Sequence, residues 1–149
     1  MHKFMVRALL GLVLGTVVAT YAQHKAINTP NAPAAIGPYS QAIQAGNMLF
    51  LAGQAAIDPK TKKLNADASI EDQTRQTLDN LKAVLAANGM TMANVVSASV
   101  FMKGLDDFAK MNAVYATYFK EGPPPARATV QVARLPLDAK IEISLIAVK

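Results

Sequence analysis

Two charged side chains of this sequence, Arg127 and Glu142, occupy positions that are not explained by a need for charge on the protein surface. Glu142 interrupts the apolar run IEISLI of residues 141–146, so its carboxylate lies on a strand that should be mostly buried. Arg127 follows three consecutive prolines, residues 123–125, with one alanine between. Because proline fixes the backbone, the strand that Arg127 opens is a rigid mount for its guanidinium.

Together these groups could bind and hydrolyse a small acid. A guanidinium fork binds a carboxylate bidentately, with charge-assisted bonds worth roughly 1.5–3 kcal/mol. A nearby glutamate can hold and partly deprotonate a water, which suffices to hydrolyse a C=N bond already polarised by protonation. We therefore expect Arg127 and Glu142 to meet at the wall of one cavity, which Tyr39 closes with its ring and hydroxyl. An Arg–Glu pair that merely closes a sheet edge, and a plain core tyrosine, fit the pattern equally well.

The side chains that are missing exclude several reaction classes. The sequence has no cysteine, and its two histidines are His2, inside the expected signal segment, and His24, which we expect at the frayed start of the mature chain. Sites built on Cys-His or Ser-His-Asp nucleophiles, and zinc sites built on His and Cys, are therefore excluded. The sequence also lacks the glycine-rich nucleotide motifs and the calcium loop. Acid–base chemistry thus falls to Asp, Glu, Lys or Tyr.

The spacing of apolar residues predicts two amphipathic helices and five strands. One helix begins at Ser69, which forms a capping box with Asp72, and runs to Gly89. The second begins near residues 106–107 and ends before Gly122, and its apolar stripe consists of Phe108, Met111, Tyr115 and Tyr118. The expected strands cover residues 40–45, 48–52, 95–103, 128–132 and 141–148. Residues 28–38, rich in proline and asparagine, form an extended lead-in.

The order of these elements predicts a single α+β domain. A chain of 149 residues has room for one domain with a real core. The elements follow the order strand, strand, helix, strand, helix, strand, strand. This order predicts a mixed sheet with both helices on one face. The opposite apolar face then needs a cover, for which oligomerisation is the simplest source.

The N-terminus has the layout of a secretory signal. Lys3 and Arg7 precede an apolar run over residues 8–19, and small residues precede Gln23. A run of about twelve residues falls short of the roughly 20 that span a bilayer. We expect a cleaved signal peptide over about residues 1–22, a mature domain over residues 23–149, and export, with the periplasm as destination. An uncleaved anchor and a misassigned start codon are the alternatives.

Five segments, in order, resemble the reactive intermediate deaminase (RidA/YjgF) family over residues 25–149. They are IGPYSQA (36–42), AGQ (52–54), PAR (125–127), VARLP (132–136) and IEI (141–143). The resemblance implies a chorismate-mutase-like fold, a homotrimer with three sites at the subunit interfaces, and hydrolysis of 2-imino acids to 2-oxo acids and ammonia without a cofactor. No metal is needed either, because a protonated C=N bond is already a strong electrophile.

The resemblance also assigns roles to single residues. It implies that Arg127 binds the substrate carboxylate, that Glu142 positions the attacking water, and that Tyr39 lines the pocket. Gly53 and the backbone at Ala128 and Thr129 match positions that contact the ligand or water.

Three positions depart from the pattern of the family. Many members have Ser at Ala52, Cys at Thr129 and a second Glu at Ser144. The carboxylate grip stays intact, but Ala52 and Ser144 favour a rival reading, a non-catalytic trimer that binds a small carboxylic acid.

RNA cleavage, an activity ascribed to some family members, is a third possibility that the charge argues against. The formal net charge is +5, and it falls to +3 without Lys3 and Arg7. The sequence has one basic cluster, which consists of Lys60, Lys62 and Lys63. We interpret it as part of a solvated loop rather than as a phosphate-binding patch. We therefore expect no nucleic acid partner.

Overall fold

The computed structural model describes residues 24–149, so the expected signal peptide, residues 1–22, lies outside the described part. In chain order the elements are β1 (His24–Ile27), β2 (Ala42–Ala45), β3 (Met48–Gln54), α1 (Ile70–Ala87), β4 (Val95–Met102), α2 (Phe108–Ala116), β5 (Ala126–Gln131) and β6 (Ile141–Val148).

One mixed sheet carries the fold. Its strand order is β1-β2-β3-β6-β4-β5, and its neighbours run antiparallel except for β4 and β5, which are parallel. The parallel pair is joined by α2, which crosses over one face of the sheet. This confirms the predicted α+β class with a mixed sheet.

Helix α1 forms where the capping signal places it. The Ser69 hydroxyl accepts a hydrogen bond from the Asp72 amide at 3.1 Å and donates one to the Asp72 carboxylate at 2.9 Å. The residues of α1 that recur every three or four positions are all buried, namely Ile70, Thr74, Leu78, Leu81 and Leu85. After α1, Gly89 takes a positive φ of 66°, which ends the helix as expected.

The two faces of the sheet differ in cover. Alternate residues of β6, from Ile141 to Ala147, are buried under the helices, whereas the residues between them are only half-buried. On that open face, Phe50 is 42% exposed and Val130 is 44% exposed. The sheet thus presents an apolar face that the described chain does not cover.

Several expectations about the elements were wrong. His24 does not lie at a frayed start, because it opens β1, which pairs with β2. The second helix ends at Ala116 rather than near Gly122, since Thr117 already makes a tighter three-residue turn to Val114. Val96 is exposed instead of sharing a face with Ala98, because an irregularity in pairing between Val95 and Ser97 reverses the alternation there.

Candidate active site

Arg127 is the second residue of β5 and faces the helical layer. Its neighbour on β4 is Ala98, which is buried beneath the helices. Because side-by-side residues of paired strands point to the same face, the Arg127 side chain extends towards α2. The strand begins at Ala126, directly after the three prolines, rather than at residue 128 as expected.

One face of α2 holds the guanidinium. Asn112 Oδ1 accepts a hydrogen bond from Arg127 Nη2 at 2.8 Å. The guanidinium carbon lies 4.5 Å from the ring centroid of Tyr115 and 5.8 Å from that of Phe108. Phe108, Asn112 and Tyr115 recur at helical spacing, which places all three on the same side of α2. The orientation of Arg127 is therefore set by neutral side chains.

The charge of Arg127 stays available. Within residues 24–149 the ion pairs are Arg75–Asp72, Lys110–Asp107 and Arg134–Asp138, and none involves Arg127. Arg127, Asn112 and Tyr115 line an open cleft of about 420 Å³, together with Pro124 and Pro125. An oriented guanidinium without an acidic neighbour is suited to a carboxylate from outside the chain.

Glu142 lies on the open face of the sheet, at the second position of β6. Its carboxylate packs against Gly53, where a Cβ atom would come within 2.8 Å of Glu142 Cδ. Burial raises the pKa of Glu142 above its usual value, because partial loss of water disfavours the charged form. A glutamate with a raised pKa is a better base towards water than an exposed one.

Tyr39 lies just before β2, the strand that pairs with β3, which carries Gly53. It stands two residues before Gln41, whose carbonyl accepts a hydrogen bond from Ala52 N at 3.0 Å. Its hydroxyl accepts a hydrogen bond from the Ile36 amide at 3.3 Å, and 48% of the residue is exposed. Tyr39 is therefore not a core tyrosine, and it is free to contact a ligand at this end of the sheet.

One chain does not bring Arg127 and Glu142 together. Glu142 on β6 lies beside Phe101 on β4, and Phe101 lies beside Val130 on β5. The β5 residue level with Glu142 is therefore Val130, which is three residues from Arg127. That offset is about 10 Å along the strands and about 10 Å across them, and the two side chains point to opposite faces. A single cavity shared by both groups within one chain is thus ruled out, as is an intrachain Arg–Glu pair.

Ala128 and Thr129 lie on an edge strand. Ala128 pairs with Ser99 and shares the open face, whereas Thr129 pairs with Val100 and faces the helices. Because β5 ends the sheet, its outer backbone groups have no strand partner in the described part of the chain. Those groups could contact a ligand or a second chain.

Two residues beside Arg127 were not foreseen as part of the site. From the sequence alone, Asn112 is expected to be solvated, and Tyr115 is expected to belong to the apolar stripe of the second helix. The available signal was their helical spacing from Phe108, together with the nearby arginine. Only the packing of α2 on β5 gives that spacing a function.

Neither a metal site nor a membrane span is found in the described residues. Across residues 24–149, no three His, Cys, Asp or Glu side chains cluster so that they could hold a metal ion. No helix in this part of the chain has both the length and the apolar character needed to cross a bilayer.

Known proteins match nearly the whole described chain. A family model described as "Endoribonuclease L-PSP" matches residues 29–149. A RutC family protein of Pyrococcus horikoshii is 56% identical over 83% of this chain and 96% of its own. The 2-iminobutanoate/2-iminopropanoate deaminase of Escherichia coli is 50% identical over 84% of this chain and 98% of its own.

Solved structures share the fold. TdcF of Escherichia coli, whose crystal structure contains bound serine, superposes with a TM-score of 0.80 at 43% identity, covering 84% of this chain and 98% of that one. The architecture is therefore the chorismate-mutase-like α+β fold that the resemblance implied. The matched motifs, the fold and the identity of these relatives agree, and the chain belongs to the RidA/YjgF family of reactive intermediate deaminases.

Proposed function

We propose that this protein hydrolyses 2-imino acids, and their enamine tautomers, to 2-oxo acids and ammonia. The observation that carries the proposal is the guanidinium of Arg127, which neutral side chains hold in place and no described carboxylate neutralises. A relative of 50% identity is named as a deaminase of such imines, and a relative of 43% identity has serine bound in its crystal structure. Both ligands are small carboxylic acids, the class that Arg127 fits.

In this mechanism Arg127 binds the carboxylate and Glu142 acts on water. The substrate is protonated on nitrogen, which makes its C2 electrophilic. As a water oxygen bonds to C2, Glu142 takes the water proton and the π electrons of C=N move to nitrogen. Glu142 passes that proton to the amine, and ammonia then leaves as the hydroxyl loses its own proton to Glu142 and becomes the ketone oxygen. The raised pKa of Glu142 supports its assignment as the base.

The site in this proposal combines two chains. Arg127 and Glu142 point to opposite faces of one sheet, so the arginine of one copy must meet Glu142, Tyr39 and Gly53 of another. The apolar open face, with Phe50 and Val130 exposed, supplies a surface for such association. We take the assembly to be the homotrimer that the resemblance implies, with one site at each interface.

The test is ammonia release from 2-iminopropanoate generated in situ. Purified protein should release ammonia, and Arg127→Ala should abolish the turnover while the protein stays folded. Glu121→Ala, a change on the exposed segment after α2, is the control and should retain activity. Undiminished turnover in Arg127→Ala would exclude the proposed mechanism.

The rival function is binding without catalysis. Ala52 and Ser144, where many family members have Ser and Glu, favour it. A pure binding protein would show saturable binding of a 2-oxo acid that requires Arg127, and no ammonia release at any protein concentration. The same preparation therefore separates the two functions.

Cleavage of RNA is the third function to be tested. The description of the matched family model names an endoribonuclease, but the formal net charge of +5 is modest for a nucleic acid enzyme. Any RNA cleavage that survives Arg127→Ala and varies with purity would be contamination.

We also propose that the protein is exported to the periplasm and acts on imino acids formed there by amino-acid oxidases or dehydrogenases. The support is the basic head and apolar run within residues 1–22, which precede the part matched by the family model. Fractionation of cells that carry the full chain or a chain lacking residues 2–22 tests this. Equal cytoplasmic location of both would exclude export.

A further inference from the structure

Tyr115 has two features that a plain core residue does not need. It is 5% exposed, and its buried hydroxyl has no well-aligned hydrogen-bond partner in the described residues. The guanidinium of Arg127 is the donor nearest to that hydroxyl, and a contact of such poor geometry offsets only part of the cost of burying it. Its ring also lies under a cation, with Arg127 Cζ 4.5 Å from the ring centroid.

The environment of Tyr115 ties it to Arg127 rather than to the core alone. Burial raises the pKa of Tyr115, and the positive charge of Arg127, together with a hydrogen-bonding contact from its guanidinium, partly counters that rise. The ring also packs against Phe119 in a tilted arrangement, with the two ring centroids 4.5 Å apart. The Tyr115 ring thus contacts both the Phe119 ring and the guanidinium of Arg127.

This arrangement limits where the guanidinium can go. Asn112 engages one amino group at the edge of the fork, and the Tyr115 ring blocks one face. A flat cation held at one edge and one face keeps its remaining N–H groups in a fixed direction. Holding a binding group in its bound orientation lowers the entropy lost when the ligand arrives.

We propose that Tyr115 is a positioning residue, whose ring orients Arg127 for a carboxylate ligand. The proposal rests on the carboxylate-binding half of the proposed function and not on catalysis. Tyr115 itself does not touch the ligand. The ring is what acts, so phenylalanine can replace tyrosine and leucine cannot.

The first experiment measures the affinity of the assembled protein for 2-oxobutanoate by calorimetry, with imine turnover alongside. Tyr115→Leu should raise the Kd about five- to ten-fold and raise KM more than it lowers kcat. Tyr115→Phe should restore most of the affinity and melt at or above the wild-type temperature. Tyr118→Leu is the matched control, because Tyr118 bonds to Asp79 at 2.9 Å instead of contacting Arg127, and its Kd should stay within two-fold.

A second measurement needs no ligand. Butanedione modifies accessible arginines, and peptide mass spectrometry reads the rate at Arg127 alone. Release of the guanidinium in Tyr115→Leu should raise that rate severalfold, with little change in Tyr115→Phe or Tyr118→Leu. If wild-type protein bound no 2-oxobutanoate, the proposed function would fail. The rate of butanedione modification at Arg127 would still show whether Tyr115 orients the guanidinium. Equal rates and equal Kd values in Tyr115→Leu and wild type, or a loss in Tyr115→Phe as large as in Tyr115→Leu, would overturn it.

Discussion

The carboxylate of Glu142 lies against the backbone of Gly53, in space that any side chain at position 53 would occupy. A Cβ there would come within 2.8 Å of Glu142 Cδ and overlap the carboxylate oxygen. The close approach of the Gly53 backbone leaves room for the Glu142 carboxylate on this face of the sheet. The absence of a side chain on β3 is therefore part of how β6 presents its acid.

Gly53→Ala should displace the Glu142 carboxylate without unfolding the protein. Gly53 does not have a positive φ, so alanine is compatible with its backbone. A displacement of about 1 Å at a catalytic group lowers kcat by up to about 100-fold. Steady-state kinetics and thermal melting would measure the two effects. Gly104→Ala is the control, because a Cβ there meets nothing within 4 Å, and it should leave kcat unchanged.

Glu142→Gln should lower kcat by about 10²–10⁴, because an amide cannot take a proton from water. In wild-type protein, kcat/KM should fall as the pH drops below the raised pKa of Glu142, with a midpoint above the ordinary value of 4.5. The residual activity of Glu142→Gln should lack that acidic limb. A limb that persists unchanged in the variant would assign it to another group.

The same pKa shift predicts a pH-dependent stability. Since the folded pKa of Glu142 lies above the unfolded one, burial favours the protonated form. Its contribution is fully present below about pH 4.5 and is lost as the pH rises through the folded pKa. Denaturant unfolding of wild type and Glu142→Gln across that window would measure it. The free energy of unfolding of wild type should fall relative to the variant as the pH rises, and a constant difference would contradict the shift.

Asn112→Asp should separate stability from ligand affinity. An aspartate would pair with Arg127, and an exposed pair of this kind contributes about 0.2–1 kcal/mol to stability. The same carboxylate would compete with the substrate for the guanidinium, so KM should rise at least about ten-fold. Asn112→Ala is the comparison, which loses the hydrogen bond but adds no competing charge. A KM in Asn112→Asp no higher than in Asn112→Ala would show that competition is absent.

The sequence predicts those parts of the fold that depend on local periodicity. The alternation of β6 and the capped, apolar face of α1 each appear in a single stretch of chain, and both were found where expected. Strand β1 was missed because four residues, HKAI, carry no alternation that distinguishes them from a lead-in. Its pairing with β2 is a tertiary contact.

The candidate site depends on information that no local pattern contains. Arg127 and Glu142 could be singled out by type and setting, but which faces they share follows from the register of β4 with both β5 and β6. Asn112 was missed because a polar residue on a helix is ordinarily solvated. Its function appears only once α2 is placed over β5.

The central claim is that Arg127 of one chain and Glu142 of another form one site, and mixing two inactive variants tests it most directly. Arg127→Ala and Glu142→Gln chains, each with at most about 1% of wild-type activity alone, would be unfolded together and reassembled at equal amounts. In a trimer with a site at each interface, about one quarter of the interfaces then combine an intact Arg127 with an intact Glu142. The account predicts ammonia release at about a quarter of the wild-type rate. Activity no higher than that of the separate variants, in trimers shown to be mixed, would contradict it.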